Sequence, residues 1–141
     1  MIVLDTDHMS LFEWADSEDA RRLQERLQPI PVEERATTII TYEEQTRGWL
    51  AYLRRARSVV QMVEAFGKLS RNLDVYRPIR VLPFDERAAI EFQRLRHQRH
   101  RIGTKDLQIA AIVLAREATL LSRNLRDFGR VPGLKVEDWS S

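Results

Sequence analysis

Oxygen-bearing side chains fall where apolar segments of this chain start or stop. Asp5 and Asp7 follow Ile2-Val3-Leu4. Glu43 and Glu44 follow the β-branched run Thr37-Thr38-Ile39-Ile40-Thr41. Asp106 begins the most apolar stretch of the chain, and Asn124 and Asp127 follow Leu120-Leu121. Several carboxylates gathered at one place repel unless they bind a cation, share protons or stay hydrated. With oxygen donors and no cysteine anywhere in the sequence, the matching cation is a hard one, Mg²⁺ or Mn²⁺. Such an ion can stabilise charge growing on a phosphate and activate water.

A second pattern is basic. Arg87, Arg94, Arg96, Arg99, Arg101 and Lys105, with His97 and His100 among them, face one acid, Glu91. This stretch fits either a phosphate-binding surface or a solvated helix face. Net charge is only +2, so local clustering carries the argument. Acidic site and basic flank together point to phosphodiester hydrolysis. Each acid also has a plain reading: Asp106 and Glu44 as first-turn residues favoured by the helix dipole, and Asp5 as a turn residue. Convergence of four segments outweighs them if the sheet order brings them together.

That order depends on the elements. Ile2-Val3-Leu4 suits a buried strand. Residues 17–27 read as a helix capped by Ser17 and broken at Gln28-Pro29-Ile30-Pro31. Residues 36–41 read as a second strand. A helical stretch from Tyr42 to about Phe66 follows, with Gly67 ending or bending it and Leu69 and Leu73 on a second helix. The two make a hairpin suited to packing or to a partner. Residues 80–84 read as a strand, Asp85 as the cap of the next helix, 102–105 as a turn and 106–117 as an apolar helix. Residues 119–122 and 134–136 read as the last strands. The alternation predicts an α/β fold with a mainly parallel sheet, whose strand C-termini and helix N-termini share one edge, the usual place for ligands. The chain, 141 residues long, reads as one domain over residues 1–141.

The absence of cysteine excludes disulfide frameworks, zinc–thiolate sites and cysteine nucleophiles. No P-loop, G-x-G-x-x-G, zinc motif or Ser-His-Asp pattern is present. His8, beside the acids, reads as a supporting or substrate-contacting group. No run approaches about 18 apolar residues, so no membrane span is expected. Met1-Ile-Val-Leu-Asp5 lacks the pattern of a signal peptide, and the expected location is the cytoplasm.

The motifs also carry a resemblance. Ile2-Val-Leu-Asp5-Thr-Asp7-His8-Met-Ser10 resembles the opening of PIN-domain proteins of the VapC type. Thr41-Tyr-Glu43-Glu44-Gln-Thr-Arg-Gly48 resembles their second motif, and Thr104-Lys-Asp106-Leu-Gln-Ile-Ala-Ala111 their third. Thr119-Leu-Leu-Ser-Arg-Asn124-Leu-Arg-Asp127-Phe128, then Arg130-Val-Pro-Gly-Leu134, is similar to the fourth and to the C-terminal signature. The resemblance implies a three-layer PIN fold and a Mg²⁺- or Mn²⁺-dependent endoribonuclease. It also implies a homodimer and a cognate antitoxin that inserts a peptide at or beside the active site. Carried over by position, Asp5, Glu44 and Asp106 match the acidic triad. The fourth position falls on Asn124, where many members have Asp, and Asp127 stands nearby as a substitute. Phosphate contacts are expected from Arg47, Arg94, Arg96, Arg99, Arg101 and Lys105. Alternatives are an RNA-processing nuclease without a toxin role, a metal-free binding module, and a receiver-like α/β protein. The last leaves Glu44 and Asp106 without a role.

Overall fold

A computed structural model gives the architecture; it describes residues 1–13, 16–98 and 101–141. Arg99 and His100 of the basic stretch lie outside the described residues. Five strands, β1 (Ile2–Leu4), β2 (Arg35–Thr38), β3 (Arg80–Leu82), β4 (Thr119–Leu121) and β5 (Lys135–Glu137), form one sheet in the order β3-β2-β1-β4-β5. Every pairing is parallel. The helices are α1 (Thr6–Ser10), α2 (Glu18–Leu27), α3 (Ile39–Arg54), α4 (Val59–Tyr76), α5 (Glu86–His97), α6 (Thr104–Ala115) and α7 (Leu125–Phe128).

Alternation along the strands divides the core. Val3, Ala36, Leu82 and Leu120 point to one face, against Leu95 of α5, Ile109, Ala110, Ile112 and Val113 of α6, and Phe128. Ile2, Leu4 and Leu121 point to the other, against Met9, Ala20, Leu23, Leu27 and Tyr76. The result is the expected α/β/α layering.

β1 is central. The chain runs outward through β2 to β3, then returns to β4 on the opposite side of β1. The strand order therefore reverses beside β1, and a crevice opens there outside the C-terminal strand ends. Asp5, Ser122 and the start of α3 all lie at that edge.

Two sequence expectations are corrected. The second strand ends at Thr38, not Thr41, and α3 starts at Ile39. The Thr38 hydroxyl accepts from Thr41 N at 3.1 Å, and this cap overrides the β preference of the branched run. Glu44 thus lies beyond the first turn of α3, so the helix dipole does not account for it. The helix read from Tyr42 to Phe66 is two helices separated at residues 55–58. Ser58 Oγ accepts from Gln61 N at 3.1 Å and caps α4, and Gln61 Oε1 accepts from Arg57 N at 2.6 Å, which ties down the residue before the cap. Gly67 lies inside α4 instead of ending it. The expected α3–α4 hairpin is present.

Candidate active site

Asp5 follows β1 directly. Its backbone N donates to Leu121 O at 2.9 Å, which continues the ladder toward β4. Oδ1 accepts from Thr6 N at 2.7 Å, which caps α1. Oδ2 accepts from Ser122 Oγ at 2.7 Å. The residue is only 6% exposed. Burial, then the nearby Asp7 charge, push its carboxyl from 3.8 up to about 6; the Ser122 and Thr6 hydrogen bonds oppose this, and Asp106 adds to it.

Asp106 sits in the first turn of α6, which starts at Gly103 without a side-chain cap. It has no hydrogen-bond or ion-pair partner among the described residues. Its carboxyl is raised above the ordinary Asp value by burial first, then by Glu44, Asp127 and Asp7. Glu44 reaches the same region from α3, where its Oε1 accepts from Thr6 Oγ1 at 3.3 Å. Asp5, Glu44, Asp106 and Asp127 are thus brought to one edge, as the sequence pattern requires.

Asn124 and Asp127 behave differently from each other. Asn124 caps α7: its Oδ1 accepts from Asp127 N at 3.3 Å and its Nδ2 donates to Asp127 Oδ2 at 3.2 Å. Asp127 adds to the negative field at Asp106, with Arg130 at 4.0 Å on its other side.

Charge pairing separates these acids from their neighbours. Glu43 is met by Lys105 at 3.0 Å and by Arg47 at 3.1 Å. Among the described residues, no cation pairs with Asp5, Glu44 or Asp106. This uncompensated, all-oxygen edge has the chemistry of a site for a hard divalent cation. The same side chains do not form a closed cage: among the described residues, no three of His, Asp and Glu gather closely enough to hold a metal by themselves. A fit therefore requires water in most coordination positions, which is how Mg²⁺ is ordinarily held.

The basic residues divide into two groups. Lys105 and Arg47 border the acids through Glu43. Arg94 pairs with Glu91 at 2.6 Å, and Arg96 lies over the Phe92 ring at 5.4 Å; neither touches the acids. Arg101 is exposed just before α6. Arg87, at the far end of α5, donates to Ala115 O at 2.6 Å and closes the C-terminus of α6.

Ser122 was missed as a site residue. It donates to Asp5, accepts from Asn124 N at 3.0 Å and is fully buried. A hydroxyl immediately after the apolar strand Leu120-Leu121 was the available signal. Thr6, which joins Asp5 to Glu44, was equally readable between two acids.

The acids stand at the switch point of an all-parallel sheet, the arrangement of an α/β protein with a ligand site at that edge, and the PIN-domain family profile matches residues 2–134. The chain belongs to the PIN-domain family. It is 37% identical over 65 residues to the tRNA(fMet)-specific endonuclease VapC of Salmonella typhimurium, an alignment covering 43% of this chain and 49% of that protein. It is 45% identical over 38 residues to ribonuclease VapC2 of Rickettsia felis, covering 27% of this chain and 28% of that one. The matched segments thus span about half or less of these relatives. The fold is similar to that in the VapBC2 complex of Rickettsia felis bound to promoter DNA, with a TM-score of 0.74, 23% identity and 99% of both chains covered. It is also similar to DNA-bound VapBC of Salmonella typhimurium, with a TM-score of 0.72, 26% identity, 98% of this chain and 97% of that one. Among the described residues, no helix is long and apolar enough to cross a membrane.

Proposed function

We propose that this protein is a divalent-metal-dependent endoribonuclease acting as the toxin of a VapBC-type pair. The single observation that carries the reading is that Asp5, Glu44 and Asp106 face one edge where no cation among the described residues pairs with them, on a fold similar to that of VapC proteins. Asp5, Glu44 and Asp106 would hold Mg²⁺ or Mn²⁺, directly or through water, with Asp127 at the margin. Asn124 contributes by capping the short helix that carries Asp127. When bound, the ion supplies positive charge for the phosphate oxygens and acidity for a water.

The protein's own groups do the rest. Ser122 and Thr6 fix both carboxylate oxygens of Asp5. Asp106 has no hydrogen-bond or ion-pair partner among the described residues, and burial and its acidic neighbours raise its carboxyl above the ordinary Asp value. Its carboxylate would be available to the cation or to a water held by it. Lys105 and Arg47 both pair with Glu43, the chain neighbour of Glu44; these ion pairs are exposed and weak. They can turn to the flanking phosphates of a single-stranded or looped RNA. Arg94, Arg96 and Arg101 would extend that track for an RNA that continues past the N-terminus of α6.

A partner surface is supported by α4, which exposes Val59, Val60, Met62, Val63, Phe66 and Leu73. Apolar patches of this kind mark protein contacts, and the expected occupants are the cognate antitoxin and a second copy of the chain. Expression of wild type and Asp5→Ala in a cytoplasm without antitoxin tests the reading. Wild type should arrest growth and fragment RNA, and the variant should do neither. Equal growth with intact RNA contradicts the toxin role. Metal-dependent cleavage in vitro without arrest supports a processing nuclease instead.

A further inference from the structure

The site described above leaves a fully buried titratable side chain, His8, unused. His8 has no exposed surface. Its Nδ1 donates to Asp7 Oδ1 at 2.7 Å, and its Nε2 accepts from Trp139 N at 3.2 Å. Asp138 Oδ1 stands 3.6 Å from Nε2 and takes its hydrogen bonds from Ser140 N and Oγ. Asp7 gives its other oxygen to the segment after β4: Oδ2 accepts from Arg123 N at 2.9 Å and lies 3.3 Å from Ser122 Oγ. Ser122 Oγ is the donor that holds Asp5. Polar contacts therefore run unbroken from Trp139 through His8, Asp7 and Ser122 to Asp5.

The C-terminal segment is fastened at further points. Arg26 donates to Asp138 O at 3.3 Å and lies 4.8 Å over the Trp139 ring. Arg123 donates to Ser140 Oγ at 2.9 Å and pairs with Asp19 of α2. Packing alone does not call for this arrangement, because a buried imidazole is costly unless both nitrogens are paired. The strap also lies beyond residues 2–134, the part of the chain that matches the family.

We infer that His8 is a positioning residue that fastens the segment Asp138–Ser140 to the acids, so that cation affinity at the Asp5 edge depends on that segment. The inference rests on the metal reading proposed above. A group that orients a metal ligand through hydrogen bonds typically changes affinity by about 10- to 100-fold when removed. The coupling is reciprocal: if the segment tightens cation binding, the cation tightens the segment.

The experiment titrates Mn²⁺ alone, by calorimetry, into the full chain, a chain ending at Glu137, and His8→Asn. Asparagine keeps a donor for Asp7, and its amide oxygen stops one bond short of the Nε2 position that accepts from Trp139 N. Both variants should bind Mn²⁺ about tenfold more weakly while keeping the wild-type circular dichroism, and RNA cleavage should lose kcat with KM unchanged. A folded variant with wild-type Mn²⁺ affinity overturns the inference alone. The unaltered protein supplies a second readout that no folding defect can obscure. Hydrogen exchange at the Trp139 amide should slow when Mn²⁺ binds, and unchanged exchange with Mn²⁺ bound overturns the inference. A wild-type chain that binds no Mn²⁺ overturns both the inference and the metal reading.

Discussion

Replacing Asp5 with asparagine should stabilise the metal-free protein at neutral pH. The Asp5 carboxyl moves from 3.8 to about 6 on folding, because it is buried beside Asp7. A folded-state pKa above the unfolded one means that the native state binds the proton more tightly. Stability from this group is then fully present below pH 3.8 and is lost as pH rises through about 6. The shift of about two units corresponds to roughly 3 kcal/mol at ~1.4 kcal/mol per unit. The introduced asparagine would keep the Thr6 cap through its amide oxygen and could donate to Ser122 Oγ, but it loses charge-assisted bonds, so a net gain of about 2 kcal/mol is expected. The assay is urea denaturation of wild type and Asp5→Asn with a chelator, at about pH 7.5 and at about pH 5. The variant should be the more stable at the higher pH, and the difference should shrink at the lower. Saturating Mn²⁺ should reverse the order by stabilising wild type, by about 2.7 kcal/mol at 100 times Kd. A variant no more stable than wild type at the higher pH, or an advantage of the same size at both, would refute the reasoning.

Ser122→Ala removes the donor to Asp5 and leaves the Asn124 amide without its acceptor; it should cost about 1–3 kcal/mol, read by thermal denaturation. Ser58→Ala should cost about 1 kcal/mol and speed hydrogen exchange in the first turn of α4, whereas a continuous helix through residues 55–58 would show neither. Charge reversal at Lys105 and Arg47 should weaken binding of single-stranded RNA to the Asp5→Ala protein and flatten its salt dependence, while reversal at Arg87 should lower stability by opening the end of α6. Phe66→Asp with Val63→Asp should leave the monomer fold intact and abolish binding to the product of the neighbouring gene, measured by co-purification.

The fold was largely legible because the signals were local and repeated. Three of the strands are short apolar runs beside turns, and Ser17 and Asp85 cap their helices as their positions suggest. The errors came from places where a hydroxyl outweighed propensity. Thr38 looks like strand, but its side chain starts a helix. Ser58 restarts one in the middle of an unbroken helical pattern. The acids Asp5, Glu44 and Asp106 were readable because each adjoins a rigid element. The hydrogen bonds among them were not, since Ser122 comes to Asp5 across 117 residues of sequence. The role of His8 depends on Trp139 in the same way. The charge pattern put Lys105 and Arg87 in one basic stretch, and it could not show that Lys105 meets Glu43 whereas Arg87 closes a helix end.

The most direct test of the central claim is cleavage of a single-stranded RNA by the purified protein, comparing wild type with Asp106→Asn, with Mn²⁺ and with a chelator. The account predicts that wild type cuts RNA only when the cation is present, and that Asp106→Asn, folded as wild type, does not cut under either condition. Cleavage that persists in the chelator, or an Asp106→Asn protein as active as wild type, would contradict it.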